Sequence, residues 1–328
     1  MPISKPAFEI CKGPRSVTTL SENDVEKHLD PNDLISALED GFRGLELGEV
    51  QAPPRTKLTL PNGVSLAMPA WRPGMQIAVK LINFSSTNLE RGLPNHLAFI
   101  NLFDPETGLA TCLMDGTYIT AIRTAAAATL SVRMLSRADS RVATIIGAGV
   151  QGFQHLRLLP LVREFERINL CSLRFEDAQR LAAHSKIARA ASDTEAAVRE
   201  SDVVCLTTHS PTPVIRADWV KPGAHVTSVG FSPPGGELPK DLAAKHRLFV
   251  ETLDAFETPP LGCSELSGLD RSKGTTLGAV ILGRKPGRIS DDEITVYKAM
   301  GVAMEDMVAA NLAYQTAKRQ HGGGVMQW

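Results

Sequence analysis

Apolar residues recur at helical spacing across residues 17–48 (Val25, Leu29, Leu34, Ile35, Leu38, Phe42), with Ser21 and Pro31-Asn32 placed to start helices. A β-like region follows. Residues 56–60 and 64–68 flank Pro61-Asn62-Gly63, where Asn and Gly tolerate positive φ, so the spacing predicts a hairpin. Residues 77–82, 97–103 and 110–114 read as further strands, with Asp104-Pro105-Glu106-Thr107-Gly108 as a turn. Residues 119–135 carry four consecutive alanines (Ala125 to Ala128), which favour a helix and let neighbouring backbones come close. From residue 142 the pattern changes: apolar stretches at 142–146, 168–172, 202–207, 225–229 and 248–251 alternate with helical ones, including a helix to about residue 162 and another from 176. Alternation of that kind predicts a doubly wound parallel sheet. Ser290, with Glu293 three residues on, predicts a capped helix over 291–319 bearing Ile294, Tyr297, Met304, Met307 and Val308. Gly322-Gly323-Gly324 reads as a mobile end.

The first apolar stretch of the alternating part runs into Gly147-Ala148-Gly149-Val150-Gln151-Gly152 and then a helical segment. That is strand, Gly-x-Gly-x-x-Gly, helix. Gly147 suits a tight turn, Gly149 lets backbone approach a pyrophosphate, and Gly152 lets the helix pack on the strand. The expected fold is a Rossmann-type α/β domain binding a dinucleotide at a helix N-terminus. About 20 residues beyond the third glycine, where the ribose is read, the next strand ends at Ser172 without an acid. A carboxylate there would repel a 2′-phosphate, whereas Arg174 can bind one, so the pattern favours NADPH over NADH.

Composition narrows the class. The 328 residues are 43% hydrophobic, enough for substantial cores, and 35 basic against 36 acidic residues call for neither nucleic acid nor an anionic membrane. Cys11, Cys112, Cys171, Cys205 and Cys263 are odd in number and scattered, which suits reduced thiols and a cytoplasmic location. No leader or 18-residue apolar run is expected, and the histidines lack metal-ligand spacing. Three cations stand in apolar surroundings, where such residues need a partner: Arg55, Lys80 and Arg123. Together they suggest a site for a carboxylate-bearing substrate, with Lys80 available for proton transfer.

The blocks GLATCLMDGTYITAIRTAAAATLSVRMLSR, VATIIGAGVQG, SVGFSPPGGEL and GRISDDEITVYKAMGVAMEDM closely resemble the ornithine cyclodeaminase and mu-crystallin family. The resemblance implies a homodimer in which a substrate and dimerisation domain (residues 1–118 and 308–328) is completed by the last helix, beside a dinucleotide domain (119–307). It implies that Arg55, Lys80 and Arg123 serve the substrate carboxylate and the reaction. Ser85, His96, Arg123, Thr124, Thr207 and Gly230 would face the cofactor, as would Gly147 to Gly152 (with Ala148, Val150 and Gln151) and Ser172, Leu173 and Arg174. Cyclodeaminases carry an aspartate where this chain has Ser232. A serine hydroxyl is not a carboxylate base near neutral pH, which turns the expectation towards the ketimine-reductase branch. Glu265 matches a family position without a derived role.

The resulting expectation is NADPH-dependent reduction of Δ1-pyrroline-2-carboxylate or Δ1-piperideine-2-carboxylate to L-proline or L-pipecolate. Lys80 would keep the imine protonated and Ser232 would cap the pocket. The alternatives are an oxidoreductase acting on an open-chain 2-oxo acid and an amine, an ornithine cyclodeaminase, and a non-catalytic NADPH-dependent binder.

Overall fold

The computed structural model describes residues 16–327; Cys11 lies outside them. The described chain opens with a strand, β1 (Ser16–Leu20), so the helical reading of residues 17–20 does not hold. Val17 and Leu20 are buried there against sheet neighbours. Two helices follow, α1 (Glu22–His28) and α2 (Pro31–Glu46). Ser21 caps the first reciprocally: its hydroxyl accepts from the Asp24 amide at 3.2 Å while the Asp24 carboxylate accepts from the Ser21 amide at 2.9 Å. Pro31 opens the second behind the Asp30 cap.

Five strands then run as an antiparallel meander: β2 (Thr56–Leu60), β3 (Gly63–Ala70), β4 (Ile77–Ser85), β5 (His96–Phe103) and β6 (Ala110–Asp115). Next comes the alanine-rich α3 (Thr117–Leu135), wholly or nearly buried along most of its length. The alternating part comprises β7 (Val142–Ile146), α4 (Val150–Leu158), β8 (Arg167–Cys171), α5 (Phe175–Ala182), β9 (Ala188–Ala190), α6 (Thr194–Glu200) and β10 (Val203–Leu206). It continues through β11 (His225–Ser228), α7 (Lys240–Lys245), β12 (Arg247–Val250), β13 (Gly274–Thr276), α8 (Leu277–Ile281) and β14 (Thr295–Lys298), and ends in α9 (Ala303–Arg319) and β15 (Gly324–Gln327).

Two sheets result. The first has the order β15-β1-β6-β5-β4-β3-β2; the second, all parallel, has β13-β12-β14-β11-β10-β7-β8-β9. In the second, the chain starts at β7, winds out to β9 and returns to β10 on the other side. The reversal between β7 and β10 opens a crevice at the strands' carboxyl ends, the place where open α/β sheets bind ligands.

Two expectations fail at the C-terminal end. Residues 291–298 do not begin a helix: Thr295–Lys298 form a buried strand between β11 and β12. The run Thr-Val-Tyr is β-branched and aromatic, which suits a strand, and Gly301, at φ +73, breaks the chain before α9. Glu293 instead accepts from the Ile289 amide at 3.0 Å, outside any helix. The triple glycine leads into β15, which pairs antiparallel with β1. Helix α9 packs on α1, α2, α3 and the inner face of β3 to β5, so Met304, Met307 and Val308 share one core with Leu38, Phe42, Ile100 and Ile122.

Candidate active site

The glycine turn has the shape the sequence asks for. Gly147 has φ +115, and a Cβ there would strike Thr207. A Cβ on Gly152 would overlap the Gly147 carbonyl oxygen, so only glycine lets α4 close on the turn. Gly149 faces open space, and with Val150 it is exposed at the start of α4. Free amides at an open helix N-terminus fit a pyrophosphate. Thr207 donates its hydroxyl to the carbonyls of Ile146 (2.9 Å) and Gly147 (3.1 Å), joining the ends of β10 and β7 across the crevice. Gln151 donates to the Ala121 carbonyl at 3.2 Å, tying the turn to α3 two residues before Arg123. Beyond β8, Ser172 is half-buried and Leu173 wholly exposed, while Arg174 pairs through two nitrogens with Asp177, which also takes Arg180.

Arg55, Lys80 and Arg123 converge. Lys80 points inward because β4 buries alternate positions there; its ladder neighbours are the buried Met68 and Ile100. Arg55, just ahead of β2, donates to the carbonyls of Met300 (3.3 Å) and Gly301 (2.8 Å). The acidic partners that Lys80 and Arg123 need come from the first turn of α9. Asp306 places Oδ2 2.6 Å from Lys80 Nζ and accepts from Arg123 Nε on Oδ1 at 3.1 Å, while Glu305 pairs with Arg123 Nη1. A buried cation stripped of its partner is destabilising by about 3–5 kcal/mol, so these acids account for the burial. Neither stands out in the sequence by spacing. The available signal is an acid pair inside Ala303, Met304, Met307, Val308 and Ala309, a run with no solvent face.

The turn before α9 is fixed by Glu251, whose carboxylate accepts from the amides of Met300 (2.9 Å) and Gly301 (2.7 Å). A Cβ on Gly301 would collide with the Arg123 guanidinium. Burial pushes the Lys80 ammonium down to about 8 even with Asp306 beside it. Burial also opposes the charge on Arg123, but Asp306, Glu305 and Glu251 outweigh it and hold the guanidinium above its usual value. Burial, then the Glu251 carboxylate, raises the Glu305 carboxyl well above the usual range. Burial lowers Arg55, with Arg123 adding to the effect.

His96, at the start of β5, sits between Phe84 (4.8 Å between ring centroids) and His209 (5.8 Å). Burial, then His209 and Lys80, pushes it down to about 4, so it is neutral at physiological pH. Ser85 shares a hydrogen bond with Thr87 at 3.3 Å, and Thr124 donates to the Thr120 carbonyl at 2.8 Å. Ser232 is half-buried on the loop after β11, which folds back through a bridge to Gly235. The base of that loop is held by buried charges. Glu237 accepts from the amides of Thr208 (2.6 Å) and Gly230 (2.7 Å), and Lys298 donates to the Gly230 carbonyl (2.5 Å) and Glu265 (3.0 Å). Glu265 thereby acquires a role. A separate hollow of about 350 Å³, lined by Lys245, His246, Arg247 and Glu293 among others, lies at the strands' amino ends, away from this cluster. Cys112, Cys171, Cys205 and Cys263 are free and buried, and burial raises their thiols.

Fold and site together define an α/β protein with a Rossmann-type dinucleotide domain beside a buried cluster of cations and acids. The chain belongs to the ornithine cyclodeaminase/mu-crystallin family, whose sequence model matches residues 16–321. It is 33% identical to the ketimine reductase mu-crystallin of Mus musculus over 312 residues, covering 92% of this chain and 98% of that one. Among solved structures it is similar to the Δ1-pyrroline-2-carboxylate reductase of Thermococcus litoralis in complex with NADH and L-proline (TM-score 0.87, 31% identity, 94% of this chain and 99% of the other). It is also similar to an archaeal alanine dehydrogenase dimer with bound NAD (TM-score 0.86, 30% identity, 95% and 99%).

Proposed function

We propose that the protein reduces a cyclic ketimine carboxylate, Δ1-pyrroline-2-carboxylate or Δ1-piperideine-2-carboxylate, to L-proline or L-pipecolate with NADPH. The observation that carries this reading is the convergence of Arg55, Lys80 and Arg123 on one buried place tied to the glycine turn. When bound, the nucleotide supplies the hydride. The turn from Gly147 to Gly152, through Gly149 and the amides of Ala148, Val150 and Gln151, would hold its pyrophosphate, with Thr207, Thr124, Ser85, His96 and Gly230 along the rest. Arg174, two residues beyond Ser172 on a strand end that carries no carboxylate, supplies a guanidinium that supports a 2′-phosphate.

The remaining chemistry is binding and proton handling. Arg55 and Arg123 receive the substrate carboxylate, which fixes the C=N bond in one orientation. Lys80, an ammonium with a value of about 8, gives its proton to the imine nitrogen. A protonated imine carbon is the better hydride acceptor. Ser232 caps the pocket by hydrogen bonding, and neutral His96 shields the site without adding charge.

The similarity to an alanine dehydrogenase favours a second reading, reductive amination of pyruvate through its open-chain imine. Comparing kcat/KM for the two cyclic imines with that for pyruvate plus ammonia or methylamine separates them. A cyclic imine preferred by at least tenfold supports the first reading; preference for pyruvate with an amine replaces it.

A further inference from the structure

Lys80 and Arg123 are both cationic, both buried, and held on one carboxylate. Asp306 has one oxygen on each: Oδ2 faces Lys80 Nζ at 2.6 Å and Oδ1 accepts from Arg123 Nε at 3.1 Å. All three side chains are almost wholly shielded from water, so no solvent layer takes over this bridging. We propose that Asp306 is the positioning residue of the site, holding Lys80 and Arg123 at a fixed separation and keeping Lys80 in the charged form that donates the proton. The inference rests on the reading of Lys80 as proton donor.

The charges around Lys80 show why the duty falls to this residue. From β4 the lysine faces Asp306 and Glu305 on α9, Arg123 on α3 and His96 on β5, with Arg55 beyond Arg123. Arg123 disfavours its charge, and burial disfavours it more. His96 is neutral at pH 7 and contributes no counter-charge. Glu305 is engaged with Arg123, and its carboxyl is held towards the protonated form by burial and by Glu251. Asp306 is therefore the counter-charge in contact with Lys80. Its attraction raises the Lys80 value against burial, so removing it lowers that value.

The step balances. The Nζ–H bond of Lys80 breaks and an N–H bond forms on the imine nitrogen as the hydride reaches the adjoining carbon. Lys80 is left as a neutral amine and regains a proton from water. A lysine already neutral at working pH has no proton to give, so turnover falls as pH rises through its value, and removing Asp306 moves that fall to lower pH.

The test uses the full chain carrying Asp306→Asn, with Asp306→Ser as a second variant that makes room for water should the first fail to fold, and Asp306→Glu as the charge-keeping rescue. Lys80 Nζ is followed by NMR across pH in 15N-lysine-labelled protein, its resonance assigned by loss in Lys80→Met. The expected result is a midpoint at least one pH unit lower in the Asn or Ser variant and within half a unit of the parent in the Glu variant. The alkaline limb of kcat/KM should move in parallel, and NADPH Kd should stay within twofold. A folded Asn or Ser variant with an unmoved Lys80 midpoint overturns the proposal, even if its turnover is low. Absence of turnover with every imine would overturn the functional reading while the resonance still decides the role of Asp306.

Discussion

At the residue scale the site poses a charge problem: guanidinium and ammonium groups are gathered out of water, as the proposed binding of a substrate carboxylate requires. Desolvation makes such groups costly, and Asp306 on Lys80 and Arg123, with Glu305 on Arg123, offsets that cost. Lys80→Ala should lower kcat by at least about a hundredfold, the scale of a lost proton donor, while leaving NADPH affinity within twofold, as read by titrating nucleotide fluorescence. Retained turnover would mean that water supplies the proton. At the ribose, Ser172→Asp should bring a carboxylate against a 2′-phosphate and shift the NADPH to NADH ratio of kcat/KM towards NADH by at least tenfold. An unchanged ratio removes Ser172 from the cofactor site. The cations of this pocket were legible because Arg55, Lys80 and Arg123 break apolar contexts. The acids were not, since Glu305 and Asp306 open a helix where acids commonly favour the dipole and need no buried partner.

At the element scale, periodicity located most strands and helices, and its failures have a common cause. Residues 290–298 contain apolar spacing compatible with a helix, yet β14 fills the gap between β11 and β12 in a sheet assembled from distant segments. Local spacing carries no information about that vacancy. The tail behaves alike: Gly324–Gln327 gains order only by pairing with β1, some three hundred residues earlier. The glycine turn, by contrast, is written locally. Gly152→Ala would set a methyl against the Gly147 carbonyl, so it should destabilise the protein by roughly 1–3 kcal/mol and weaken NADPH binding, read together from urea unfolding and nucleotide titration. Normal stability with normal affinity would show that α4 can shift without harm.

At the scale of the whole molecule, two properties follow from burial. The outer face of the first sheet carries Leu58, Leu60, Leu81, Leu97 and Phe99 in the open, with Leu81 directly opposite Phe99 across β4 and β5. We propose that a second copy covers this face, as apolar surface of this kind invites. Leu81→Glu with Phe99→Glu should then halve the mass in sedimentation, and an unchanged mass places the interface elsewhere. No described helix is long and apolar enough to cross a membrane. Acid should destabilise the fold. Burial lowers His155 to about 4 and His225 to about 3, so on acidification the unfolded chain takes up protons near pH 6.5 that the folded chain refuses. Stability present at pH 7 is lost as pH falls, by roughly 1–2 kcal/mol per histidine at pH 5. His225→Gln should flatten that loss in urea midpoints measured at both values.

The proposed reaction requires that hydride reach the carbon of a cyclic C=N bond beside Lys80. The direct measurement is reduction of Δ1-pyrroline-2-carboxylate and Δ1-piperideine-2-carboxylate with NADPH deuterated at the transferable C4 position, followed by mass and position analysis of the amino acid formed. The expected result is one deuterium at C2 of proline or pipecolate for each NADPH consumed. Oxidation of NADPH without that label, or tight nucleotide binding with both imines left unreduced, would contradict it.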